Sequence, residues 1–120
     1  MNNKKSILLV LFIVGNLIVF AQNKPLLNLK YEQNYTPTYD EVIEMYQKLD
    51  AHHENARLFE KGSTDCGKPL HIFVINDTVE FDPKKIREAG KSVLLINNGI
   101  HPGEPEGIDA SLQFADDLLR

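Results

Sequence analysis

His101 and Glu104 are the pair whose types and spacing could do chemistry. They stand in the stretch Asn97-Asn98-Gly99-Ile100-His101-Pro102-Gly103-Glu104-Pro105-Glu106-Gly107. An imidazole and a carboxylate two residues apart, bracketed by glycines and prolines, suit a turn that holds two ligands for one divalent cation. Zinc accepts imidazole nitrogen and carboxylate oxygen, and its catalytic sites use three protein ligands with a fourth position left for water. A second reading of the same residues stands beside it: Glu104 caps the following helix and His101 bonds a backbone group. Spacing alone leaves both open, because His-x-x-Glu is a short pattern. Glu106 is the competing carboxylate, and its place in the first turn of a helix favours a role at the positive end of the helix dipole.

The elements that must position this pair flank it directly. Val93-Leu94-Leu95-Ile96 is an apolar run without alternation, so residues 92–97 read as a strand buried on both faces of a mixed or parallel sheet. After the corner, Ile108, Leu112, Ala115 and Leu119 recur at helical spacing, with Asp109, Gln113, Asp116 and Asp117 largely elsewhere. Such a strand-to-helix corner places side chains at the open end of a sheet.

Upstream, Thr38-Tyr39-Asp40-Glu41 fits a capping box. Tyr39, Val42, Ile43, Tyr46 and Leu49 then trace an amphipathic helix that ends near His52 and His53. Adjacent histidines point about 100° apart on a helix and chelate poorly, so they read as a solvated last turn. Residues 57–61 and 70–75 read as two strands of a hairpin around the turn formers of 62–69. The second strand is apolar on both faces except for His71, which reads as a core or edge histidine. Gly62 and Gly67 lack the Gly-Lys-Ser/Thr ending of a phosphate loop. Asp82-Pro83 opens a short helix that Gly90 closes.

Residues 1–21 read as a secretory signal peptide. Lys4 and Lys5 precede an apolar stretch at 7–20, and Val19-Phe20-Ala21 offers a cleavage site after Ala21. The expected location is secreted or periplasmic, with no stable membrane association after cleavage. Residues 22–37 read as an extended lead-in, and 38–120 as one α/β unit, a mixed β-sheet flanked by helices. Without the leader the chain carries 11 Lys and Arg against 17 Asp and Glu, a formal charge of −6. That balance argues against a nucleic-acid partner. Cys66, the single cysteine, excludes a disulfide framework and a cysteine-rich zinc site. In an oxidising compartment it is expected to be buried and inert, or to await a partner. The helical pattern at Arg120 carries no stop signal, so the sequence reads as the front part of a larger domain.

Gly99-Ile100-His101-Pro102-Gly103-Glu104, after an apolar strand and before a helix, resembles the first zinc-binding motif of the zinc carboxypeptidases, peptidase family M14. The helix from Tyr39, the hairpin around 62–70 and the strand at 92–97 follow in that family's order, so the resemblance covers roughly residues 35–120. It implies a mixed sheet flanked by helices and a peptide or protein substrate. It also implies hydrolysis at or near the C-terminus through zinc-activated water. His101 and Glu104 match its zinc ligands. The family's third ligand, substrate-binding arginines, tyrosine and catalytic glutamate are expected beyond Arg120, so these 120 residues alone should not catalyse. Two alternatives accompany this expectation: an N-acyl amino acid deacylase using the same corner, and a non-catalytic exported binding module. The signal peptide and the helix-plus-hairpin favour the peptidase.

Overall fold

The computed structural model describes residues 24–101 and 103–120. The leader and its cleavage site lie outside the described residues, as does Pro102 of the corner.

Among the described residues, three helices and one hairpin follow in the order α1 (Tyr39–His52), β1 (Ala56–Ser63), β2 (Pro69–Ile75), α2 (Pro83–Glu88) and α3 (Glu106–Leu119), after a 3-10 turn at Tyr31–Gln33. The start of α1 is fixed locally. The Thr38 hydroxyl accepts from the Glu41 backbone N–H, and the Glu41 carboxylate accepts from the Thr38 backbone N–H at 2.7 Å. Two N–H groups that the helix leaves unpaired are thereby satisfied. Asp82 caps α2 by accepting from Lys84 N–H at 2.8 Å, with Pro83 in its first turn.

β1 and β2 pair antiparallel, with Ala56 opposite Ile75 and Glu60 opposite His71, and the register shifts between Glu60 and Ser63. The hairpin lies against α1. The Tyr46 and Phe73 rings stand 4.7 Å apart, and the Tyr39 hydroxyl donates to the Pro69 carbonyl at 2.6 Å. Asp50 near the end of α1 accepts from Leu58 N–H at 2.9 Å and faces Arg57 Nε at 3.4 Å. None of the described helices is long and apolar enough to cross a membrane.

The core lies between α1, β1 and α3: Leu49, Ala56, Leu112, Ala115 and Leu119, joined by Leu27 of the lead-in. Leu49 and Leu112 are fully buried, each stabilising the fold by about 1.5–3 kcal/mol. The lead-in is tied down at both edges of this core. Asp116 of α3 accepts the backbone N–H of Leu26 at 3.1 Å and of Leu27 at 2.8 Å, while Lys48 Nζ of α1 donates to the Leu26 carbonyl at 2.7 Å.

Four expectations are corrected here. Among the described residues the expected mixed sheet is a two-stranded antiparallel one. Residues 92–97 form no ladder, and Val93, Leu94 and Leu95 are about four-fifths exposed; a strand needs a neighbour's backbone, and no described segment supplies one. β2 is not buried on both faces, since Leu70 and Ile72 remain half-exposed for the same reason. Asp109 and Asp116, assigned to the polar side of the last helix, are both buried.

Candidate metal site at the corner before α3

The chain reaches α3 through a sharp corner set by glycine. Gly99 takes φ +66° and Gly103 φ +88°, in the left-handed region where a Cβ is strained. Gly99 also lies tight against α3: a Cβ there would stand 2.7 Å from Cγ1 of Ile108, and one on Gly107 would stand 2.9 Å from Cβ of Asn98. Asn98 Nδ2 donates to Ser111 Oγ at 2.9 Å, and that hydroxyl donates to the Gly107 carbonyl at 2.7 Å. The loop before the pair is thus pinned to the first two turns of α3.

On this corner His101 Nδ1 lies 3.1 Å from Glu104 Oε1, and both side chains are open to solvent. The structure therefore brings the two sequence-derived residues together directly. α3 starts from Pro105 without any side-chain cap, so Glu104 does not serve as the helix cap. Glu106 sits in the first turn of α3, as expected. Two donors bound to one tetrahedral zinc at ~2.0–2.1 Å stand about 3.3 Å apart. The observed separation is close to that bite. The pair fits two of a zinc ion's ligands. Among the described residues no group of three or more His, Cys, Asp or Glu side chains could hold a metal.

Two of the other histidines are engaged elsewhere. His52 Nδ1 lies 2.9 Å from the Lys48 carbonyl and His71 Nδ1 lies 3.3 Å from the Tyr39 hydroxyl. Cys66 is exposed in the hairpin turn rather than buried. Its thiol is held below the usual range, first by its hydrogen bond with the Thr64 hydroxyl and then by the Lys68 backbone.

One carboxylate near the corner was not visible as unusual in the sequence. Asp109, one turn into α3, is 8% exposed, and its Oδ1 has no hydrogen-bond partner among the described residues. Burial raises its carboxyl above the ordinary aspartate value. Its i, i+3 relation to Glu106 was the available signal, but that spacing alone is common on solvated helix faces.

Compared with protein-family models, with curated proteins and with solved structures, the chain matches none.

Proposed function

We propose that the intact protein is an exported zinc metallocarboxypeptidase of the M14 type, with His101 and Glu104 as two of its metal ligands. The observation that supports this reading is the 3.1 Å approach of His101 Nδ1 to Glu104 Oε1 on a glycine-set corner. The reading requires a third ligand, a general base and a carboxylate-binding group from outside these 120 residues. When bound, zinc supplies a Lewis acid that lowers the pKa of a water toward ~7 and polarises a carbonyl. This chain's own part is to hold the imidazole and carboxylate at the right bite, with Gly99 and the Asn98–Ser111 bond fixing the loop against α3.

The test uses the intact protein. Zinc titrated against a competing chelator should bind with a stoichiometry of one and raise the melting temperature. His101→Ala or Glu104→Ala should abolish both effects and the hydrolysis of hippuryl-type peptides, with the circular dichroism spectrum unchanged. Activity retained in either variant removes the assignment. Cleavage of N-acyl amino acids alone moves the protein to the deacylases. The direct hydrogen bond between the two side chains favours one further reading, a non-catalytic module in which they satisfy each other. An intact protein that binds no zinc would establish that one instead.

A further inference from the structure

Asn98-Gly99 is the one Asn-Gly dipeptide in the chain, and it lies on the exposed loop that leads to His101. In such a dipeptide the glycine nitrogen can close a five-membered ring on the carbon of the asparagine amide. Glycine permits this because it has no Cβ to obstruct the approach and its backbone turns freely. Asparagine counts among the thermolabile residues. Whether a folded chain allows the reaction depends on what holds the two reacting groups.

Here little holds them. Residues 92–100 form no ladder, and Asn98 and Gly99 are both exposed. The Gly99 N–H donates no hydrogen bond among the described residues, so losing its proton breaks no structure. The point where a Gly107 Cβ would stand is 3.3 Å from Asn98 Cγ and 3.5 Å from Gly99 N. The attacking nitrogen and the carbon it attacks thus border one small gap, left open because Gly107 has no side chain. A single printed bond restrains the Asn98 amide, from Nδ2 to Ser111 Oγ at 2.9 Å. Asn76 is held far more firmly. Its Nδ2 donates to Thr78 Oγ1 at 3.2 Å and to the Glu80 carbonyl at 2.6 Å, and its Oδ1 accepts from Lys91 at 3.0 Å.

We propose that Asn98 is a site of spontaneous modification, converting through a succinimide with Gly99 to aspartate and isoaspartate, and that this frees the corner from α3. The proton of the Gly99 N–H passes to hydroxide or a buffer base. The nitrogen then bonds to Cγ of Asn98, the Cγ–Nδ2 bond breaks, and the amide leaves as ammonia after taking a proton from water. Water reopens the ring at either carbonyl. Opening at Cγ restores the ordinary backbone with an aspartate. Opening at the main-chain carbonyl leaves an isoaspartate, with an extra methylene in the backbone before Gly99. Both products carry a new carboxylate and lose the N–H that Asn98 donates to Ser111. The proposal does not depend on a metal at His101 and Glu104.

The experiment incubates the intact protein warm at pH 8 and at pH 5. Tryptic peptides are mapped by mass spectrometry, and isoaspartate is labelled with an isoaspartyl methyltransferase. The peptide from Ser92 to Arg120 should gain the mass that separates Asp from Asn, located at Asn98, with isoaspartate as the larger product. The rate should be at least about tenfold higher at pH 8, because the deprotonated nitrogen is the nucleophile. Asn97 and Asn76 should stay unchanged over the same period. Asn98→Gln, which would need a six-membered ring, should end the reaction. In the converted protein, amide hydrogens of residues 98–104 should exchange at least about threefold faster. No conversion at Asn98, while a synthetic peptide of residues 92–104 converts, overturns the proposal. So does conversion to aspartate alone, conversion of Asn97 at an equal rate, or unchanged exchange at 98–104 in the converted protein.

Discussion

At Gly99 two independent constraints fall on one residue, a positive φ and a wall of Ile108 side chain 2.7 Å from where a Cβ would be. Gly99→Ala should therefore cost about 1–3 kcal/mol, measured by urea unfolding, and should weaken zinc binding by shifting the loop that carries His101. Asp109 and Glu41 lead to pH dependences of opposite sign. Burial raises Asp109 above 3.8, so the fold binds its proton more tightly than the unfolded chain does. Its penalty is absent below that value and grows as pH rises toward the folded value. Asp109→Asn should accordingly raise stability at pH 7 and leave it unchanged at pH 3. Glu41 is lowered from 4.5, chiefly by the Thr38 backbone N–H. Its contribution is present above that value and lost as pH falls through the lower folded one, so Glu41→Gln should flatten the acid limb of the stability curve. His101 and Glu104 were legible in the sequence because three residues of chain keep them together whatever the rest does. Asp109 was not, because its burial depends on how α3 packs in the fold, and no local pattern announces that.

Each element owes its boundary to signals of different range. Thr38→Ala removes the capping box and should cost about 1 kcal/mol, visible as a lower melting temperature. The lead-in is held otherwise, by one buried carboxylate that accepts two backbone N–H groups. Asp116→Asn should cost about 2 kcal/mol and open the chain after Lys30 to trypsin well below the global unfolding transition. α1, α2 and the hairpin were readable from caps, turn formers and periodicity, all of them short-range. Leu27 was not recognised as a core residue, because its segment has no period and its partner is 89 positions away. The strand expected at 92–97 failed for a related reason. An unbroken apolar run shows that a segment wants burial, and it leaves unstated which backbone is to provide it.

Across the molecule, the described surface keeps Val93, Leu94, Leu95, Ile100, Phe114 and Leu118 exposed, together with the half-open face of β2. Apolar area of this extent on a charged surface favours association. The 120-residue chain should self-associate at micromolar concentration in sedimentation experiments. Val93→Lys with Leu95→Lys should suppress this while changing unfolding free energy by less than about 0.5 kcal/mol, since neither residue is buried here.

The grip of Asp116 on Leu26 and Leu27 also sets an order of events. A ribosome delivers the chain from its amino end, so Leu27 and Leu49 emerge long before the helix bearing Leu112, Ala115 and that carboxylate. The clasp joins residues 89 positions apart and must wait for α3 to appear, since contacts this distant in the chain close late. Until then the nascent polypeptide is a capped helix and a hairpin with an open seam, extensible and easily threaded. It locks only when the turn of α3 bearing Asp116 arrives.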